Sequence, residues 1–237
     1  MTRHNLGLYW GPRGESSEEC ARRLQEFLSS IRDLDHVFAQ WGEKGASRAK
    51  AMEKQVDVGD LSEVTRIVEK GAQRRDTDRS RIEHLGFVFG LWNMLQRPET
   101  MSLRVLCGIS KAIPGIGGNS LVLSFSGDLI SRLKVDIVAK VLSVGAKIWK
   151  PTWGGVFSPD AMLEQSFDSS NPLIDWLLYV DCGFASVGRI APPSRVIDVN
   201  QTGKIIVTQE TPAAKGNSTH DNLVAAIRDS LHIEQPR

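Results

Sequence analysis

A chain of 237 residues with 41% apolar and 24% charged side chains has the composition of an ordinary folded domain and is long enough to bury a substantial core. Its 29 Lys and Arg against 28 Asp and Glu leave a net charge of +1, without the basic excess that phosphate neutralisation favours, which argues against nucleic acid as a direct ligand. Three cysteines, Cys20, Cys107 and Cys182, are an odd set at no metal-like spacing, so they argue against a disulfide framework or zinc site and point to reduced, buried thiols in a cytoplasm.

Leu6, Leu8 and Trp10 alternate with Gly7 and Tyr9, which predicts a short first strand ended by Gly11-Pro12. The run is too short and too broken to serve as a signal segment. No stretch approaches the roughly 18 apolar residues of a membrane span, so no membrane is expected as a partner. Ser16 followed by Glu19 is a capping box, with Glu18 and Glu19 suiting the positive end of a helix dipole. Cys20, Ala21, Leu24, Phe27, Leu28, Ile31 and Leu34 then fall at helical spacing. The polar run 47–55 predicts a short exposed helix. Asp60 and Glu63 begin another amphipathic helix, stopped by Gly71. Residues 73–81 are dense in both charges and predict a solvated connection.

From Gly86 the period becomes strand-like: GFVFGLWNM, SLRVLCGIS and SLVLSFS predict an antiparallel meander. One long helix is expected next, carrying Ile130, Leu133, Ile137, Val138, Val141, Leu142 and Ile148 on one face. A short helix opened by Ser158-Pro159-Asp160 follows, then a strand in IDWLLYVD, a hairpin from VIDVN to KIIVT, and a closing helix capped by Ser218 or Thr219 that buries Leu223, Val224, Ile227 and Leu231. These elements define an α+β fold: a mainly antiparallel sheet with helices packed on one face, forming a single domain over 1–237.

Signals for chemistry are sparse. The glycine cluster PGIGGN (114–119) leads into a strand rather than a helix N-terminus and has no Lys-Ser/Thr after it, so it reads as a wide turn and not a phosphate loop. Five histidines, at 4, 36, 84, 220 and 232, show no metal-ligand spacing, and no cofactor or metal is expected. His220, Asp221 and Ser124 can be written as a triad on paper, but no nucleophile elbow supports it. Asp175 and Asp181 flank a strand about 20 Å apart, too far for paired acid and base work, and read as solvated strand ends. Of six tryptophans, Trp92 and Trp176 read as core, whereas Trp149 and Trp153 flank Pro151 beside two glycines in a loop-like segment.

The stretches YWGPRGESSEECARRLQEFL, WGEKGAS, WKPTWGGVFSP, DWLLYV, VNQTGKIIVTQE and HDNLVAAIRDSL together resemble the immunity protein 52 family of bacterial polymorphic toxin systems. That resemblance implies a small cytoplasmic α+β protein that binds the toxin encoded beside it and protects its producer: an antidote without catalytic residues. It further implies a nuclease toxin of the restriction-endonuclease fold, often delivered by a type VI secretion system. An effector-loading adaptor or chaperone is the alternative, since it too needs only a recognition surface, and a small enzyme with an unfamiliar site is a third. Tyr9, Trp10, Gly11, Arg13 and Glu19 are expected to build a strand-to-helix corner in which Arg13 pairs an acid.

An inhibitor of a DNA-binding site should carry local acid. The stretch 160–181 contains Asp160, Glu164, Asp168, Asp175 and Asp181 with no Lys or Arg. Residues 149–168 are therefore the expected toxin-binding segment, with Trp149 and Trp153 as aromatic anchors and Asp160, Glu164 and Asp168 as steering acids.

Overall fold

The computed structural model describes residues 3–112, 118–214 and 216–233. In chain order the elements are β1 (His4–Trp10), α1 (Ser17–Ile31), β2 (Gly42–Glu43), α2 (Arg48–Met52), α3 (Leu61–Lys70), β3 (Leu85–Trp92), β4 (Met101–Ile109), β5 (Asn119–Phe125), α4 (Gly127–Arg132) and α5 (Val135–Trp149). The chain continues through β6 (Trp153–Phe157), α6 (Pro159–Glu164), β7 (Leu177–Asp181), β8 (Ala185–Val187), β9 (Arg195–Val199), β10 (Gly203–Val207), α7 (Ser218–Ser230) and β11 (Leu231–Ile233). Nine strands form one antiparallel sheet in the order β2-β3-β4-β5-β1-β6-β7-β10-β9; β8 and β11 pair separately. The α+β class with a mainly antiparallel sheet is as the sequence indicates.

The first strand of the chain thus lies at the centre of the sheet, between β5 and β6. One face carries the larger core, where Leu6, Leu8 and Trp10 meet α1, α3, α4 and α5 through residues such as Leu24, Phe27, Val68, Ile130 and Leu142. The opposite face is not bare. Over β1, β6, β7 and β10 a second cluster of Tyr9, Trp153, Phe157, Leu178, Val180 and Ile206 is closed by residues of α6 and α7 and the segments around them. Burial patterns follow from this two-sided cover: β6 and most of β7 are buried without interruption, while β5 alternates buried with half-buried residues in the manner of a strand covered on one face only.

The capping box forms as expected: Ser16 Oγ accepts the Glu19 N–H, and the Glu19 carboxylate accepts the Ser16 N–H at 2.8 Å. These contacts hold the Glu19 carboxyl below its ordinary pKa. The expected long helix is broken instead into α4 and α5, with Leu133 and Lys134 extended between them. Leu133 and Val135 are both buried. The closing helix is capped one residue earlier than expected, by Asn217, whose side chain accepts the Thr219 and His220 N–H groups; Leu231 falls in β11. Cys20 and Cys107 are buried, and desolvation pushes the Cys107 thiol up, but Cys182 is exposed, contrary to the expectation of three buried thiols. Residues 114–117 of the glycine cluster lie outside the described residues. Asn119 at its end opens β5, accepting the Ile109 N–H at 2.9 Å and donating to the Gly11 carbonyl at 2.8 Å.

Candidate functional site: the α6 ridge and its supports

The segment 149–168 runs from the end of α5, through β6, to the loop after α6. Lys150 takes a left-handed conformation (φ 48°) that ends α5 and turns the chain into β6. This turn places Trp149 and Trp153 on opposite sides of the sheet. Trp149 packs in the larger core beside Trp10, with ring centroids 5.4 Å apart. Trp153 stacks on Tyr9 at 4.6 Å within the second cluster. Both are closed to solvent, at 0% and 1% exposure, so neither serves as the expected aromatic anchor for a partner. Proline and glycine beside them signalled a loop, but the glycines lie inside β6, where neighbouring strands approach too closely for a side chain: a Cβ on Gly154 would fall 2.7 Å from the Gly7 carbonyl oxygen.

Trp153 acts on the site from below. Its indole N–H donates to the Ser169 carbonyl at 2.8 Å, pinning the loop after α6. Phe167 tucks into the same cluster, 5.4 Å from the Tyr9 ring and 5.8 Å from Phe157. Burial pushes the Tyr9 phenol up. Between the half-buried Phe167 and Ser169, Asp168 stays at the surface and folds its loop: its carboxylate accepts the Ser170 N–H at 3.0 Å and the Ser170 hydroxyl at 2.7 Å, which hold its pKa below the ordinary value.

Helix α6 is a short ridge. Ser158 Oγ caps it by accepting the Ala161 N–H at 3.1 Å, and Pro159 supplies the fixed φ of its first turn. Ala161 and Met162 face the second cluster. Glu164 is exposed and Asp160 partly so, and between them Leu163 is 78% exposed, the most exposed of the large apolar side chains described. An apolar residue in that position gains nothing from the fold.

Asp175 and His220 form a buried pair beneath the ridge. Asp175 accepts the Ser158 N–H at 2.7 Å on one oxygen and contacts His220 Nε2 at 3.1 Å with the other. With the carboxylate ionised, Nε2 carries the proton. Asp175 thereby joins the start of α6 to the first turn of α7. It is 5% exposed, so the reading of Asp175 as a solvated strand end is corrected. Forty-five residues separate the partners, and no local signal marks them. The paper triad does not assemble: Ser124 sits on β5, donating to Asn5 Oδ1 at 2.8 Å, while His220 Nε2 meets Asp175; Asp181, the other strand-end acid, accepts the Gly183 N–H at 2.8 Å. Among the described residues no group of three or more His, Cys, Asp or Glu is placed to hold a metal ion, and no helix is long and apolar enough to cross a membrane.

The opening corner is structural. Arg13 lies 3.0 Å from the buried Glu15 carboxylate, sits over Trp10 and donates to the Trp149 carbonyl at 2.9 Å. Arg23 joins the same Glu15 at 2.6 Å and also donates to the Ile148 carbonyl. Two guanidiniums thus satisfy the last carbonyls of α5, as cations near a helix C-terminus should.

No curated protein matches the chain. Among solved structures, a Pseudomonas aeruginosa type VI secretion system protein, PA0821, aligns over 96% of this chain and 72% of its own, with a TM-score of 0.50 and 12% sequence identity, a likeness of fold. At the level of family the comparison reaches almost the whole chain: residues 3–234 match the family described as Immunity protein 52, and the chain belongs to that family.

Proposed function

We propose that this chain, acting as one domain over 1–237, binds and neutralises a cognate secreted toxin in the cytoplasm of the producing bacterium, and that the toxin is a nuclease delivered by a type VI secretion system. It does so without catalysis or a cofactor, by occupying the toxin surface. Membership of an immunity family supports the class, and the fold it shares with a type VI secretion system protein accords with the delivery route.

The observation that carries the site is the solvent exposure of Leu163 on a helix whose charged residues are all acidic. Leu163 supplies the anchor that Trp149 and Trp153 cannot, while Asp160, Glu164 and Asp168 remain the acids that draw in a basic, nucleic-acid-binding surface. Co-expression with the catalytic domain of the toxin encoded in the adjacent reading frame tests this. The chain should restore growth, and Leu163→Asp combined with Glu164→Lys should abolish rescue while leaving the melting temperature unchanged. Growth rescue also separates an antidote from an adaptor, which need not protect against the isolated catalytic domain. Undiminished rescue by the double variant would remove α6 from the interface.

A further inference from the structure

The sheet is covered on both faces only over half its width. Over β3, β4 and β5 no helix among the described residues covers the face opposite the larger core, and strand register arranges its outward residues in rows: Val88, Leu106 and Ser120; Gly90, Arg104 and Val122; Trp92, Ser102 and Ser124. Arg104 is exposed at the centre of this floor. Lys44 reaches to its side, with Nζ 4.0 Å from where a Cβ on Gly90 would stand. Neither cation has an acid partner among the described residues. Helix α6 rises from the same side of the sheet, and its Met162 Sδ lies 3.8 Å from Asn5 Nδ2, on the strand that pairs with β5. Ridge and floor are neighbours on one continuous surface.

We infer that the toxin interface proposed above extends from α6 onto the open floor of β3, β4 and β5, where a carboxylate of the toxin, set among apolar groups, meets Arg104 and Lys44. This rests on the reading of the chain as a toxin-binding antidote. Charge selects the occupant. Two copies stacked about a two-fold axis at the centre of this floor would bring the Arg104 guanidiniums of both copies together, a like-charge contact that costs free energy when desolvated, whereas an acidic partner satisfies them. The bipolar layout, acids on the ridge and cations on the floor, also fixes the orientation in which a partner can dock.

Titration calorimetry with the cognate toxin domain identified by growth rescue tests the inference. Arg104→Glu and Ser102→Trp are compared with Glu164→Lys and the parent chain, with thermal melts recorded for each. The two floor variants should each weaken binding by about tenfold or more without a change in melting. Should Ser102→Trp fail to fold, the exposed Arg104→Glu change alone decides. Parent-like affinity in the floor variants, alongside weakened binding by Glu164→Lys, would overturn the extended interface and leave the α6 site standing. Absence of binding by the parent chain would instead overturn the antidote reading itself. If sedimentation shows a dimer that Ser102→Trp dissociates, the floor's occupant is a second copy and the inference fails.

Discussion

Arg13 donates to the carbonyl of Trp149 at 2.9 Å across 136 residues of chain, so the turn that leaves the central strand also closes α5, one of the two 15-residue helices of the larger core. The same side chain is ion-paired with Glu15, which in turn holds Arg23. One compact network thus secures β1, α1 and α5. Arg13→Ala is expected to destabilise the chain by about 2 kcal/mol, from the lost charge-assisted hydrogen bond and the Glu15 charge left with one partner fewer. For a chain this size that lowers the melting temperature by roughly 4–8 °C. Arg13→Lys should not restore it, because a single ammonium lacks the forked donors that reach a carboxylate and a carbonyl together. Unchanged melting would show that the network contributes nothing.

The chain's two tyrosines, Tyr9 and Tyr179, are both buried, and desolvation raises the pKa of both, that of Tyr179 from 10.0 to about 12. The folded state retains protons that the unfolded chain releases near pH 10. The stabilisation is therefore complete below pH 10 and is lost as pH rises from there toward 12. Alkaline titration followed by phenolate absorbance should show almost no ionisation near pH 10, then a cooperative rise of both tyrosines on unfolding. A simple titration centred on pH 10 would contradict their burial.

Asp175→Asn keeps the shape of the side chain but removes the charge that serves the Ser158 N–H and His220 Nε2. The expected cost is about 2 kcal/mol. It should be local: hydrogen exchange should quicken in α6 and α7 while α1 and α5 keep their protection. A uniform change across the sheet would mean that the pair does not specifically secure the α6 side.

If the exposed acids Glu164 and Asp168 steer the toxin, association should slow with added salt, by roughly tenfold on raising ionic strength well beyond physiological. Glu164→Lys and Asp168→Lys should lower the association rate more than they raise dissociation and should flatten that salt dependence. Stopped-flow mixing with the toxin domain provides the check, and a salt-independent parent rate would argue against steering.

Elements built from neighbouring residues were legible in the sequence. The capping box at Ser16 and Glu19, the alternation of β3, β4 and β5, the Ser158-Pro159 helix start and the β9–β10 hairpin each depend on contacts a few residues apart, and each stands in the structure as read. The surface placement of Glu164 and Asp168 needs only their own polarity, which the sequence carries. Trp149 and Trp153 were misjudged because their burial depends on what β1 brings beside them, Trp10 on one face and Tyr9 on the other.

The sequence by itself therefore determined where several helices and strands begin, which of their faces are apolar and where negative charge is concentrated, since each follows from side-chain chemistry acting over a turn or a pleat. Only the tertiary structure decided that β1 lies at the centre of nine strands, that Asp175 finds His220 and Arg13 finds Trp149, and that among the described residues no helix covers the sheet face of β3, β4 and β5 beside the α6 ridge. Strand order and helix docking are settled by long-range burial, in which one segment's surface is defined by another far away in the chain.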